Sequence, residues 1–279
     1  MFWKTTISQV IYLLRKKEAI FVFCILFFMV IANFVSNVIT FQGMDVLEMY
    51  HPMKLMLISY NRLNYSSDNT LLFLQLYPFL VTCPAGFSLA KEYQLGEHVY
   101  LSARLGNSTY KRSKFVAAFL ATTIVFTVPL LMEFLLNCVS FPRNAMGDLT
   151  NFCYYDTTYQ QWVQQYFMSE LYMKNSYLYA LVGIFLFGIV SGFLGVFVVV
   201  FSSFFKIKYN VFLFLPPVIL LNFSSMLTTE QSSFSTRWYD YLLLFNETPK
   251  NDYFFYCVLL GFLVLGIISS FISSRKDCL

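Results

Sequence analysis

Residues Ala19–Phe41 read AIFVFCILFFMVIANFVSNVITF, a run with no charged side chain. A stretch of roughly 20 apolar residues crosses the hydrocarbon layer as a helix, because every backbone N–H and C=O there must find its partner within the segment. The run is too long for a signal-peptide core and lacks a small-x-small cleavage site, so a retained span is expected. Moving outward, five further runs share this character: Leu71–Ala90, Phe115–Phe141, Tyr177–Phe205, Val211–Met226 and Tyr253–Ser273. The fifth of the six is short and contains Pro216-Pro217, which predicts a helix that is kinked, broken or partly re-entrant.

Composition agrees. The 279 residues are 58% hydrophobic and 12% charged, against roughly 45–50% and about 25% for soluble domains. No internal repeat or low-complexity linker divides the chain. The expected fold class is therefore an all-α integral membrane protein, a single domain over residues 1–279 with six transmembrane helices.

The charges give the orientation. The N-terminus, the 91–114 loop, the 206–210 loop and the C-terminal tail hold thirteen Lys and Arg residues, and the longer opposite set holds six. The positive-inside rule places the richer set, with both termini, in the cytoplasm. The outer loops carry ten of the fifteen acids. The net charge of +4 is thus a topology signal, and no nucleic-acid partner is expected. Cys24, Cys83 and Cys257 fall within spans, where a small apolar residue suffices. Cys138 and Cys153 fall at the outer surface, where a disulfide is one option.

Four connecting segments carry amphipathic signals. Trp3, Ile7, Val10 and Leu14 recur at helical spacing before Arg15-Lys16-Lys17, as in a helix lying in the cytoplasmic interface. The longest cytoplasmic connection mixes charges with Leu95, Val99, Tyr100, Leu101 and Leu105, which suggests a short helix docking on the bundle or on a partner. Gly96 and Gly106 punctuate it. In the outer loop 142–176, Asp156 could cap a helix presenting Tyr159, Trp162, Val163, Tyr166, Phe167 and Leu171 on one face. The loop Leu227–Asp252, with Trp238, Tyr239 and Tyr241, is a further interfacial or re-entrant candidate.

Within the runs, Glu133 is the one formal charge, and a charge at mid-helix costs about 2.5–3.5 kcal/mol on insertion scales. It reads either as a polar lining group of a transport path or as a group reaching the outer headgroups. Pro129, four residues earlier, could open a kink beside it. Gly188 and Gly192 form a small-x-x-x-small face for helix packing, within the subunit or across a dimer. Asn33 and Asn37, one turn apart, either hydrogen-bond another helix or mark the approach to the surface.

The stretch Phe87-Ser88-Leu89-Ala90-Lys91-Glu92, then Gly96, Arg104 and Tyr110-Lys111-Arg112-Ser113-Lys114, resembles the segment joining spans two and three in permease subunits of type-2 ABC transporters, the exporter-type family. The layout resembles that family along the whole chain: an N-terminal interfacial helix, six spans and a cytoplasmic coupling helix between spans two and three. The resemblance implies that Glu92 and Gly96, with Arg104 and Lys114, couple the chain to cytosolic ABC ATPase subunits. It implies a second permease subunit, identical or related, in a bacterial plasma membrane. ATP and Mg would then be bound by the ATPase partner and no cofactor by this chain. Glu97, where the family has a small residue after the glycine, departs from the pattern.

The residue pattern offers no enzyme. There is no Gly-x-x-x-x-Gly-Lys-[Ser/Thr] phosphate loop, no His-Glu-x-x-His and no Gly-x-Ser-x-Gly. The two histidines, His51 and His98, are expected on opposite sides of the membrane. A secondary transporter or channel, and a non-transporting sensor or immunity protein, are the alternative readings. The first usually shows repeated halves or several intramembrane ionisable groups.

Overall fold

A computed structural model describes residues 2–46, 49–60, 67–143, 164–205, 209–226, 234–246, 248, 250–261 and 264. Among these residues the regular structure is helical, and the β feature is a single parallel bridge between Ser59 and Leu244. Four helical stretches are long and apolar enough to cross a membrane: Lys17–Phe41, Asn69–Leu95, Asn107–Ser140 and Ser176–Phe204.

The order begins with α1 (Phe2–Leu14) and α2 (Lys17–Phe41). The second long stretch is stepped into α3 (Ser67–Thr82) and α4 (Gly86–Leu95), because Pro84 brings no N–H to the ladder at the turn between them. Next come α5 (Glu97–Leu105) and α6 (Asn107–Ser140), then α7 (Ser169–Lys174) and α8 (Ser176–Phe204). The fifth run is a 3-10 turn, Asn210–Phe214, followed by α9 (Leu215–Met226). Pro216 and Pro217 occupy the first turn of α9, where an N–H has no intrahelical acceptor, so they begin this helix rather than break one. Within the described residues Asn210–Met226 is shorter than the four long helices. After α10 (Trp238–Leu242), α11 (Asp252–Gly261) opens the sixth run. Except for Val264, the remainder of that run lies outside the described residues, as do Cys153 and the Asp156–Val163 part of the outer-loop helix.

Helix α6 is the hub, packing on α1, α2, α5 and α8. Its contact with α8 is built from small residues. A Cβ on Gly188 would meet Thr127 Oγ1 at 2.0 Å, and one on Gly192 would meet Thr123 Oγ1 at 2.4 Å and the Phe119 ring at 2.8 Å. The threonine oxygens thus lie where the glycine Cα–H bonds point, and they have no other hydrogen-bond partner. Close backbone approach with Cα–H···O contacts suits helices that gain no hydrophobic drive from each other in lipid. The two glycines pack within the subunit.

The interfacial stripe of α1 is divided. Val10 and Leu14 pack with the fully buried Leu13 against the α6 side of the core, while Trp3, Ile7 and Ile11 face outward. At the other end of the bundle the core is aromatic. Tyr77 stacks on Trp238 at 4.9 Å and bonds Ser191, and Tyr166, Tyr172 and Tyr179 surround Phe245. Tyr166, Phe167 and Leu171, predicted to share a face, all join this core.

Candidate functional site

The 91–114 connection is a double reversal. Gly96 (φ 73°) closes α4 and opens α5, and Gly106 (φ 78°) does the same between α5 and α6. Both lie in the left-handed half of backbone space, where a side chain is strained. The fold-back returns Lys114 of α6 to Glu92 of α4. Both side chains are buried, and one Glu92 oxygen accepts from the Lys114 ammonium while the other accepts from the Tyr110 hydroxyl. Both carboxylate oxygens are satisfied by charge-assisted bonds, the condition for a buried pair to hold.

Helix α1 closes over this pair. The Lys114 ammonium lies 5.7 Å from the Tyr12 ring centroid, and Lys16 lies 4.6 Å from the same ring. Burial, and next the Lys114 charge, hold Lys16 below the ordinary lysine range. A second ion pair, Lys91 with Glu18, ties α4 to α2 at a more exposed level. Four helices therefore meet around Glu92.

Helix α5 stands on this base. Leu101 and Leu105, like Val10, Leu14 and Tyr93, pack against the buried cluster that holds Leu13, Leu89 and Tyr110, but Leu95, Val99 and Tyr100 are 71%, 56% and 81% exposed. Arg104 is also exposed and does not join the buried cluster. Beside α5, a cavity of about 840 Å³ is lined by Gln94, His98, Ser102, Asn107, Lys111 and Ser202. Of the four residues with an expected coupling role, Glu92 and Lys114 are in contact, Gly96 forms the turn, and Arg104 stands apart.

Glu133 occupies the opposite end. It is fully buried, and Oε1 accepts from the Asn33 side-chain amide at 2.7 Å and from the Leu57 N–H at 2.8 Å. Asn33 and Asn37 both donate to the Leu55 carbonyl at 2.9 and 2.8 Å, and Asn137 donates to the Pro52 carbonyl at 3.3 Å. Thr70 donates to the Leu57 carbonyl at 3.0 Å. These side chains clasp residues 52–59, which are buried throughout although they belong to a connection rather than a span. Pro52–Leu55 form a single 3-10 turn, and the peptide groups that this short turn leaves unpaired are met by these side chains.

The same segment pairs with a second inserted loop. Leu244 donates to the Ile58 carbonyl and Tyr60 donates to the Leu244 carbonyl, both at 2.9 Å. Phe245 is forced to φ 58° beside them, its N–H aimed at the Tyr179 hydroxyl 3.5 Å away. Asp240, also buried, accepts from Asn246 at 2.8 Å and holds this loop in shape.

Sequence reasoning missed the buried segment, with Lys54 inside it, and the parts played by Tyr110 and Asn137. One signal was present: Met53–Ile58 is unusually apolar for a loop, and Asn33/Asn37 on α2 match Glu133/Asn137 on α6, each pair one turn apart. Among the described residues no group of three His, Cys, Asp or Glu side chains is gathered as a metal site requires. No protein family, curated protein or solved structure matches this chain.

Proposed function

We propose that the chain is the transmembrane subunit of an ATP-driven exporter of the type-2 ABC kind, acting with separate cytosolic ATPase subunits and a second permease subunit. The observation that carries this reading is the build of α5. It is a nine-residue helix outside the bundle, with apolar residues turned outward and a base fixed by a buried ion pair. A lever that receives force from another protein needs such a combination of a sticky outer face and a stiff root. Glu92 and Lys114 serve as the root, Gly96 as the joint, and Leu95, Val99 and Tyr100 as the docking face; Arg104 stands at the rim.

In this reading α5 and both termini are cytoplasmic, consistent with the excess of Lys and Arg on that side. The stretches Asn210–Met226 and from Asp252 onward complete six crossings of the plasma membrane of a bacterium. The exposed Trp3, Ile7 and Ile11 of α1 rest in the lipid interface. The inserted residues 52–59 and 234–246 then close the outer end of the path, and Glu133 serves that closure. Pull-down of the tagged chain from its own cells, with the eluate probed for ABC ATPases, tests the reading. Recovery of a complex that hydrolyses ATP is expected, and recovery that survives Gly96→Pro and Glu92→Ala unchanged would refute it.

A further inference from the structure

Glu133 and Asn137 lie one turn apart on α6, both fully buried, and each has one oxygen without a partner. Glu133 Oε1 takes both available donors, the Asn33 amide and the Leu57 N–H, leaving Oε2 with none. Asn137 spends its amide N–H on the Pro52 carbonyl, leaving Oδ1 with none. Both unpartnered acceptors are carried on one face of α6, one turn apart.

Among the described residues no ion pair reaches the Glu133 carboxylate. Elements α2 and α3 bring amides and hydroxyls, namely Asn33, Asn69 and Thr70. From the clasped segment, Lys54 places its ammonium 5.6 Å from the Phe245 ring centroid, and His51 bonds Ser176 and packs on Tyr177. Tyr77 of α3 bonds Ser191 of α8. An ionised Glu133 would therefore be a buried charge with only one oxygen solvated by the protein, an arrangement that burial penalises severely. A proton on Oε2 removes the charge and turns that oxygen into a donor on the helix face that also carries Asn137.

We infer that Glu133 binds a proton that locks residues 52–59 into the bundle, so that this segment is a proton-gated plug. Seating keeps water from the carboxyl, and unseating lets water solvate its charge. Loss of the proton leaves a charge that the seated segment does not solvate, so the seated form is favoured in acid and released in alkali. The plug reaches beyond the transport reading, since it requires neither an ATPase nor a substrate.

The test uses the full-length chain purified in detergent, with native cysteines replaced and a single reporter, Ser59→Cys, at a position 2% exposed. Maleimide labelling is followed from acid to alkaline pH and divided, at each pH, by the rate of the same reporter carrying Glu133→Gln. Gln is neutral at every pH, with an oxygen for Asn33 and Leu57 and an N–H where the proton would sit. The expected ratio is near one in acid and rises by roughly an order of magnitude in alkali. A second reporter, Ile58→Cys, gives the same ratio if Ser59→Cys disturbs the bridge to Leu244. A ratio flat across pH overturns the proposal, as does faster labelling in Glu133→Gln than in the parent at acid pH. Loss of the rise in His51→Gln would place the proton on His51 and also overturn it. Either failure leaves the ATPase pull-down outcome unaffected, because this assay contains no ATPase.

Discussion

Replacing Lys114 by Met leaves the Glu92 carboxylate 2% exposed beside a single neutral donor, Tyr110. Removing one partner of a buried pair costs about 3–5 kcal/mol, because the remaining charge stays desolvated without compensation. Glu92→Gln strands the Lys114 ammonium in the same way and carries a similar cost. The double variant strands neither charge, so its loss should fall short of the summed single losses by about 2 kcal/mol or more, within the range seen for contacting residues. Tyr110→Phe, which removes one charge-assisted bond, should cost about 1.5–3 kcal/mol. Equilibrium unfolding of the purified chain in mixed micelles reads all four. Additivity of Glu92→Gln and Lys114→Met to within about 0.5 kcal/mol would show that the two side chains do not act as a unit, and the root assigned to α5 would be lost.

Three further outcomes are expected. Gly192→Ala should destabilise the chain by about 1–3 kcal/mol through overpacking against the rigid Phe119 ring, whereas Gly261→Ala, with nothing within 4 Å among the described residues, should be neutral or slightly stabilising in the same unfolding assay. A cysteine placed at the exposed Tyr100 should react with an impermeant maleimide only after cells are opened, and one at the exposed Met44 should react in intact cells; the reverse pattern would invert the orientation. Asn37→Leu removes one of two amides on the Leu55 carbonyl, and proteolysis of the native protein within residues 52–59 should accelerate severalfold, with α2 itself intact.

The helices were legible where one physical rule acted alone. Ala19–Phe41 and Tyr177–Phe205 agree with Lys17–Phe41 and Ser176–Phe204 to within two residues, because hydrocarbon thickness sets both. The run 115–141 was read short at its start. Lys111 and Lys114 look like loop residues, yet tertiary burial carries them into α6, which begins at Asn107. Polarity alone could not reveal that Lys114 has Glu92 waiting for it.

The site was legible in part for the same reason. Gly96 and Gly106 declare turns, because few residues other than glycine suit a positive φ. Glu133 could be identified as costly but not assigned a partner, because its partner is a backbone N–H in a loop 76 residues away. Residues 52–59 resisted reading because a connection folded into a bundle breaks the rule that loops lie outside. Only the combination of an apolar loop with two matched Asn and Glu/Asn faces hints at it.

The central claim, that α5 is the surface an ATPase drives, is tested most directly by a photo-crosslinking residue at the 81% exposed Tyr100 in living cells. The account predicts a crosslinked product containing an ABC ATPase, identified by its phosphate-loop peptide and lost when Val99→Asp is introduced beside the probe. A probe that labels lipid or water alone, while the same cells still carry out ATP-dependent export through this chain, would contradict it.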